Sequence, residues 1–267
     1  MSGKKVITPN RVLAYHKIDR KKEIGITVVN PDKFRKQIKL LVRRGYKLVT
    51  LTELCFCNDE KNIAITFDDG YQNIYQYAMP VLEEFGARAT VFIICSAIGK
   101  NNTWDANLGG IKFKHLDESE INQLIKKGWE IGSHGYSHAA LHLKNQEILA
   151  HEIGDSRKYL QQQFNTNINY FSAPFGRTNS TILETCKKYG YKGCCGFYPM
   201  QLFKQTKPEM LVPRIGVYGG ETERSVLNKI SLEYSRLNQS ARKQNFINFW
   251  NNGTIIWQGI KDFLALD

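Results

Sequence analysis

The sequence has no apolar run approaching the roughly 20 residues that a bilayer-crossing helix requires, so a transmembrane protein is not expected. The opening residues, MSGKKVITPNRVLAYHK, carry lysines but no apolar stretch of signal-peptide length. The expectation from these two absences is a protein that stays in the cytoplasm. There is no long low-complexity tract and no repeat at a fixed period, which removes solenoid and array architectures. The six cysteines do not form a disulfide framework: Cys194 and Cys195 are adjacent, and one residue separates Cys55 from Cys57. The Cys-x-Cys has no second Cys/His pair at zinc-finger spacing, so these thiols are read as structural or incidental.

What is present is ordinary for a soluble globular chain: 42% hydrophobic and 23% charged residues. At 267 residues it can form one large domain with a substantial core, or two small ones. The net charge is +12, from 37 Lys+Arg against 25 Asp+Glu. That balance suits an acidic partner: nucleic acid, an anionic membrane surface or a phosphate-bearing substrate. The lysines are spread along the chain, and no helix-turn-helix, RNA-recognition or finger pattern accompanies them. No nucleic-acid partner is therefore expected. A solvated basic face is the plainest reading, and peripheral contact with a membrane the alternative.

Short apolar runs alternate with helix-period segments. Strands are expected at 11–16 (RVLAYH), 47–51 (KLVTL), 62–68 (NIAITFD), 88–94 (RATVFII), 129–134 (WEIGSH), 169–174 (NYFSAP), 192–197 (KGCCGF) and 211–217 (LVPRIGV). Helices start at Pro31-Asp32 and at Asp117, which has Glu120 three residues on as in a capping box. The stretch NQEILAHEIGDSRKYLQQQF reads as one longer helix, and TNSTILETCKKYG as another that ends on glycine. Such alternation implies parallel strands with right-handed crossovers, and seven or eight units favour a barrel over an open sheet. Functional side chains then belong at the C-terminal strand ends, where His16, Asp68, Asp69, His134 and the APFG turn fall. From about residue 219 the alternation stops. The tail reads as amphipathic helix, with Ile230, Tyr234 and Leu237 on one face and Phe246, Phe249 and Trp250 on another, packed on the barrel or facing a membrane.

Two of these strand ends carry chemistry. NIAITFDDG ends a buried strand in two adjacent carboxylates, and EIGSHGYSH spaces His134 and His138 four residues apart. Either is weak alone; Asp-Asp-Gly often only makes a turn. Together, at separate strand ends of one βα chain, two imidazoles and a carboxylate make an open three-ligand metal site. Zinc is the default, and cobalt, nickel or iron would also suit it. Of the two aspartates, one can bind the metal while the other faces its water. A metal lowers the pKa of that water towards ~7, so the free carboxylate could take its proton. This is machinery for hydrolysing an amide or ester.

In order along the chain, TFDDG, SHGYSH and FSAPFG resemble the first three motifs of the polysaccharide deacetylase family (NodB-homology, carbohydrate esterase family 4). The resemblance runs over roughly residues 10 to 218 and extends to RVLAYHKI, NTWD and LVPRIGV. The motif order is similar to that of the circularly permuted branch, whose last-motif histidine lies near the N-terminus. It implies a distorted (β/α) barrel of about seven parallel strands over 1–218, with a C-terminal helical extension over 219–267. It further implies Asp68 as catalytic base and Asp69, His134 and His138 as metal ligands. Phe175 would supply a backbone N–H to the oxyanion, His16 would protonate the leaving amine, and Arg214 would hold the base charged. Trp104 and Asp105 would border the substrate cleft.

Three departures stand out. Gly135 occupies a position usually Ser or Thr, which removes a hydroxyl that could buttress the loop. Ser172 stands where the third motif often has arginine, a gap that Arg214 could fill. The acidic fourth motif is not recognisable in GCCGFYPMQLF. His142 is not assigned as a ligand because Asp69 is available, and His115 and His151 read as surface residues. The implied activity is metal-dependent removal of N-acetyl groups from an amino sugar in a polysaccharide, oligosaccharide or lipid-linked glycan precursor. The basic surface and amphipathic tail favour a phosphorylated or lipid-linked substrate at the inner membrane face. A deformylase or O-deacetylase, and a silent carbohydrate-binding relative, are the competing readings.

Overall fold

A strand has a side-chain period of two, so in NIAITF alternate residues must face opposite ways. In the computed structural model both faces of this strand, β5 (Asn62–Phe67), are buried. Ile63, Ile65 and Phe67 belong to an apolar cluster with the surrounding helices, and Ala64 belongs to a second one inside a barrel. The structure describes residues 11–231 apart from 22, 24, 58, 103–111, 142–143 and 198–208. Trp104, Asp105, His142 and the expected tail helices beyond 231 lie outside the described residues.

Among the described residues the strands are β1 (Val12–Tyr15), β2 (Lys17–Ile18), β3 (Val28–Val29), β4 (Lys47–Val49), β5, β6 (Thr90–Ile93), β7 (Glu130–Ser133), β8 (Tyr170–Ser172), β9 (Gly193–Phe197) and β10 (Leu211–Gly216). Seven close a ring of parallel neighbours, β1-β5-β6-β7-β8-β9-β10 and back to β1. Strand β4 pairs with the start of β5, on the side that β6 takes over further along. The strand pair β2–β3 forms a small separate sheet.

All eight expected strands are present. The β2–β3 pair was not anticipated, nor were two elements that bear on the barrel. The helix Leu51–Phe56 is capped at both reciprocal positions by Thr50 and Glu53, and its Leu51 and Leu54 join Val12, Ala64, Phe92, Tyr170, Cys195 and Val212 inside the barrel. It plugs the end opposite the carboxylates. The expected long helix over 145–164 contains a wider π-helical segment, Ala150–Asp155, which inserts an extra residue into the ladder. The helix Glu223–Ser231 lies against the helix Pro31–Arg43, with Val226 and Ile230 buried in the main core.

Phe67 is fully buried against Tyr15, Phe34 and Trp129, with ring centroids 5.7, 6.0 and 5.8 Å away. Phe67→Ala is expected to cost about 3–5 kcal/mol, read as a fall in the urea midpoint at unchanged m-value. A change under about 1 kcal/mol would show that these rings do not hold β5 in place.

Candidate active site

The same alternation that buries Phe67 outward turns Thr66 and then Asp68 into the barrel. Strand β1 pairs Tyr15 with Phe67, and the Asp68 N–H donates to the Tyr15 carbonyl at 3.0 Å, so His16 and Asp68 emerge side by side. On β10, Val212 and Arg214 point inward, and on β8, Tyr170 and Ser172 do.

Arg214 is completely buried and forks onto Asp68: Nη1 donates to Oδ1 at 2.7 Å and Nη2 to Oδ2 at 2.8 Å. Nη2 also donates to the Ser172 hydroxyl (2.8 Å), which donates to Asp68 Oδ1 (3.2 Å). The guanidinium lies between the Phe92 and Phe197 rings, 5.2 and 5.0 Å from their centroids. Gly132 is needed here, because a Cβ on it would lie 2.5 Å from the Phe92 ring. Burial alone would raise the Asp68 pKa. Arg214 and His134 outweigh it, so the carboxyl sits below its usual range.

If β5 continued, Asp69 would point outward. A left-handed φ of 68° ends the strand and swings its carboxylate to the mouth. Among the described residues only four non-glycine residues have positive φ, and three of them are Asp69, His138 (65°) and Phe175 (59°). Backbone held in this region is strained, so its clustering marks a functional site. Asp69, His134 and His138 are all buried, and their ligand atoms lie within 4.8 Å of one another.

Protonation tests whether these residues fit a metal. His134 Nδ1 lies 2.7 Å from the Ser172 carbonyl, which only accepts, so Nδ1 carries the hydrogen. In the neutral ring, Nε2 then presents a lone pair to Asp69 Oδ1 at 3.2 Å. His138 Nε2 faces the same oxygen at 3.4 Å. The His134 lone pair and the carboxylate so opposed call for a cation between them. Tetrahedral zinc ligands at 2.0–2.1 Å stand roughly 3.3 Å apart, close to the two separations between Asp69 and the histidines. The titration directions show how strongly these three groups interact. Burial would raise Asp69, yet the two imidazoles hold it well below its usual range. Burial would lower His134, yet Asp68 and Asp69 raise it. The donor set suits a divalent metal.

His16 is half-buried and lies parallel to the Phe197 ring at 6.0 Å. Burial lowers its pKa, which the nearby Asp69 and Asp68 only partly oppose, so it rests neutral near pH 7. Phe175 sits in the turn Pro174–Gly176, with its ring 4.8 Å from that of His138.

The reading of His115 is corrected. It is 2% exposed, stacks on Tyr71 at 4.7 Å, and its Nδ1 lies 2.8 Å from the Asp69 carbonyl, where it holds the left-handed turn. The alternation of Phe113 and His115, both buried, was the available signal. His151 is exposed beside Asp155, as expected. The structure thus brings His16, Asp68, Asp69, His134, His138, Phe175 and Arg214 to one end of the barrel.

A sequence profile of the polysaccharide deacetylase family matches residues 57–194. YxkH of Bacillus subtilis, named for that family, is 32% identical over 188 residues, which is 68% of this chain and 62% of that protein. The chain thus spans under two thirds of that relative's length. The poly-beta-1,6-N-acetyl-D-glucosamine N-deacetylase of Staphylococcus epidermidis is 27% identical over 205 residues, 67% of this chain and 68% of its own length. Among solved structures, the Streptococcus pyogenes deacetylase PplD superposes with a TM-score of 0.70 at 22% identity, over 83% of this chain and 97% of that one. At that identity the likeness establishes the distorted (β/α) barrel and nothing further.

Proposed function

This chain belongs to the polysaccharide deacetylase family, and from that premise we propose that it hydrolyses the N-acetyl group of an N-acetylated amino sugar within a glycan. The observation that carries the reading is the meeting, in one barrel mouth, of the Asp69–His134–His138 cluster with a separately held Asp68. When bound, a divalent metal at the cluster would supply a Lewis acid and acidify a water. We assign zinc, with cobalt, nickel or iron as the alternatives its nitrogen and oxygen ligands allow.

The chain's own residues complete the reaction. Asp68, held charged and oriented by Arg214, accepts the proton of the attacking water. The Phe175 backbone N–H donates to the oxyanion that develops as the acetamide carbonyl becomes tetrahedral. His16, neutral at rest, takes up the water's proton and delivers it to the departing amine as the C–N bond breaks, and acetate leaves. Screening N-acetylhexosamine oligomers for released acetate tests the reading, with N-formyl and O-acetyl glycans alongside. Release from the formyl or O-acetyl substrates alone would overturn it.

The role given to His16 makes a specific prediction. His16→Gln should slow amide hydrolysis by about 10²–10⁴-fold. It should slow an activated aryl acetate much less, because that leaving group needs no proton. Equal losses on both substrates would remove His16 as the general acid.

The +12 charge supports a phosphorylated or lipid-linked glycan met at the inner face of a membrane by an otherwise cytoplasmic protein. Flotation with anionic vesicles tests this, with and without residues 232–267. Removal of 219–231 as well would strip Val226 and Ile230 from the core. Loss of binding with the tail is the expected outcome, and a full chain that does not float would contradict it.

A further inference from the structure

We propose that Glu152 is a positioning residue that sets the histidine loop in metal-binding geometry, in place of the side chain that Gly135 lacks. The inference rests on the metal-site reading above. Glu152 is 2% exposed, and it comes from the π-helical segment Ala150–Asp155 rather than from any of the site motifs. Its Oε2 accepts the Tyr136 N–H at 2.8 Å. Both its oxygens accept the Ser137 N–H, at 3.2 and 3.1 Å, and Oε1 also accepts the Ser137 hydroxyl. One carboxylate therefore gathers two consecutive peptide N–H groups from the three-residue link between His134 and His138.

That link has to be held. His138 has a φ of 65°, which L side chains seldom adopt, and Gly135 has a φ of 88°. A Cβ on Gly135 would lie 2.7 Å from Glu152 Oε2, so the carboxylate fills the volume a side chain there would take. The start of the loop is fixed separately. Gly135 N–H donates to the Ser133 hydroxyl (3.2 Å), and the Ser96 N–H donates to the Tyr136 carbonyl (2.9 Å). The Ser156 hydroxyl, one turn on from Glu152, donates to the Glu152 carbonyl (2.6 Å) and meets the Ser133 hydroxyl (2.8 Å), which ties the π-helical segment to β7. Glu152 reaches the half of the loop that ends in His138, through the N–H and hydroxyl of Ser137. The wider turn adds a residue that straight helix would not have, and such bulges recur at functional sites.

The test is zinc affinity of the metal-free full chain, measured by competition with a chromophoric chelator, together with the thermal midpoint of each metal-free protein. Glu152→Gln and Glu152→Ala should lose about 10–100-fold in affinity, whereas Glu147→Gln, an exposed carboxylate on the same helix, should lose none. Gly135→Ala should weaken zinc in the native background and much less in Glu152→Ala, where the opposing oxygen is gone. The φ penalty is common to both backgrounds and cancels. Unchanged affinity in folded Glu152→Gln, a shift in thermal midpoint alone, or additive effects of Gly135→Ala and Glu152→Ala would each overturn the proposal. A native chain that binds no zinc would instead overturn the metal reading, and this inference with it.

Discussion

Asp68→Asn should abolish nearly all turnover, by about 10³-fold or more, while leaving the fold and the metal site in place. General-base catalysis contributes about 10²–10⁴, and the substitution also removes the charge that Arg214 is built to face. Asparagine keeps the shape and can still accept from Nη1, so the barrel mouth should not collapse. Steady-state acetate release at saturating substrate checks this. A loss below about tenfold, with metal retained, would remove Asp68 from the role of base.

Arg214→Met should be the most destabilising single change at the site, at about 3–5 kcal/mol near pH 7 in metal-free protein. The arginine is fully buried, and its removal leaves Asp68 in an apolar barrel without its counter-charge. In the native chain the Asp68 pKa is depressed, so its stabilisation is complete above the unfolded value near ~3.9 and fades as pH falls through the folded value. In Arg214→Met burial prevails and the pKa rises, so the variant gains stability relative to the native chain on acidification. The gap between the two should be widest at neutral pH and narrow below about pH 5. Adding Asp68→Asn should restore much of the loss, because the orphaned charge is gone. A pH-independent gap, or no restoration in the double variant, would contradict the account.

Much of the fold was legible because most strands of the ring are short, largely apolar runs that are buried on both faces, and such runs stand out between helical segments. Chemistry was legible where it came as local motifs: Asp68-Asp69 and His134/His138 each lie within one strand end. The helix Leu51–Phe56 escaped because six residues are too few for a helical period, although Thr50 and Glu53 spelled out its capping box. The π-helical segment escaped because one inserted residue barely disturbs an amphipathic pattern over twenty. Glu152 and His115 escaped for another reason. Glu152 looks like a surface residue in its own segment and the signal at His115 is one short alternation, and a loop from another strand end rests on each of them. The Gly135 departure pointed to a missing buttress, and the atom that fills the space lies seventeen positions away in sequence.

The central claim is that Asp69, His134 and His138 hold the metal, while Asp68 does not. Elemental analysis of the native chain, Asp68→Asn and Asp69→Ala, each purified without chelator and dialysed against zinc, tests it most directly. The account predicts about one metal per chain in the native protein and in Asp68→Asn, and essentially none in Asp69→Ala. Equal metal content in the two variants, whether full or absent, would contradict it.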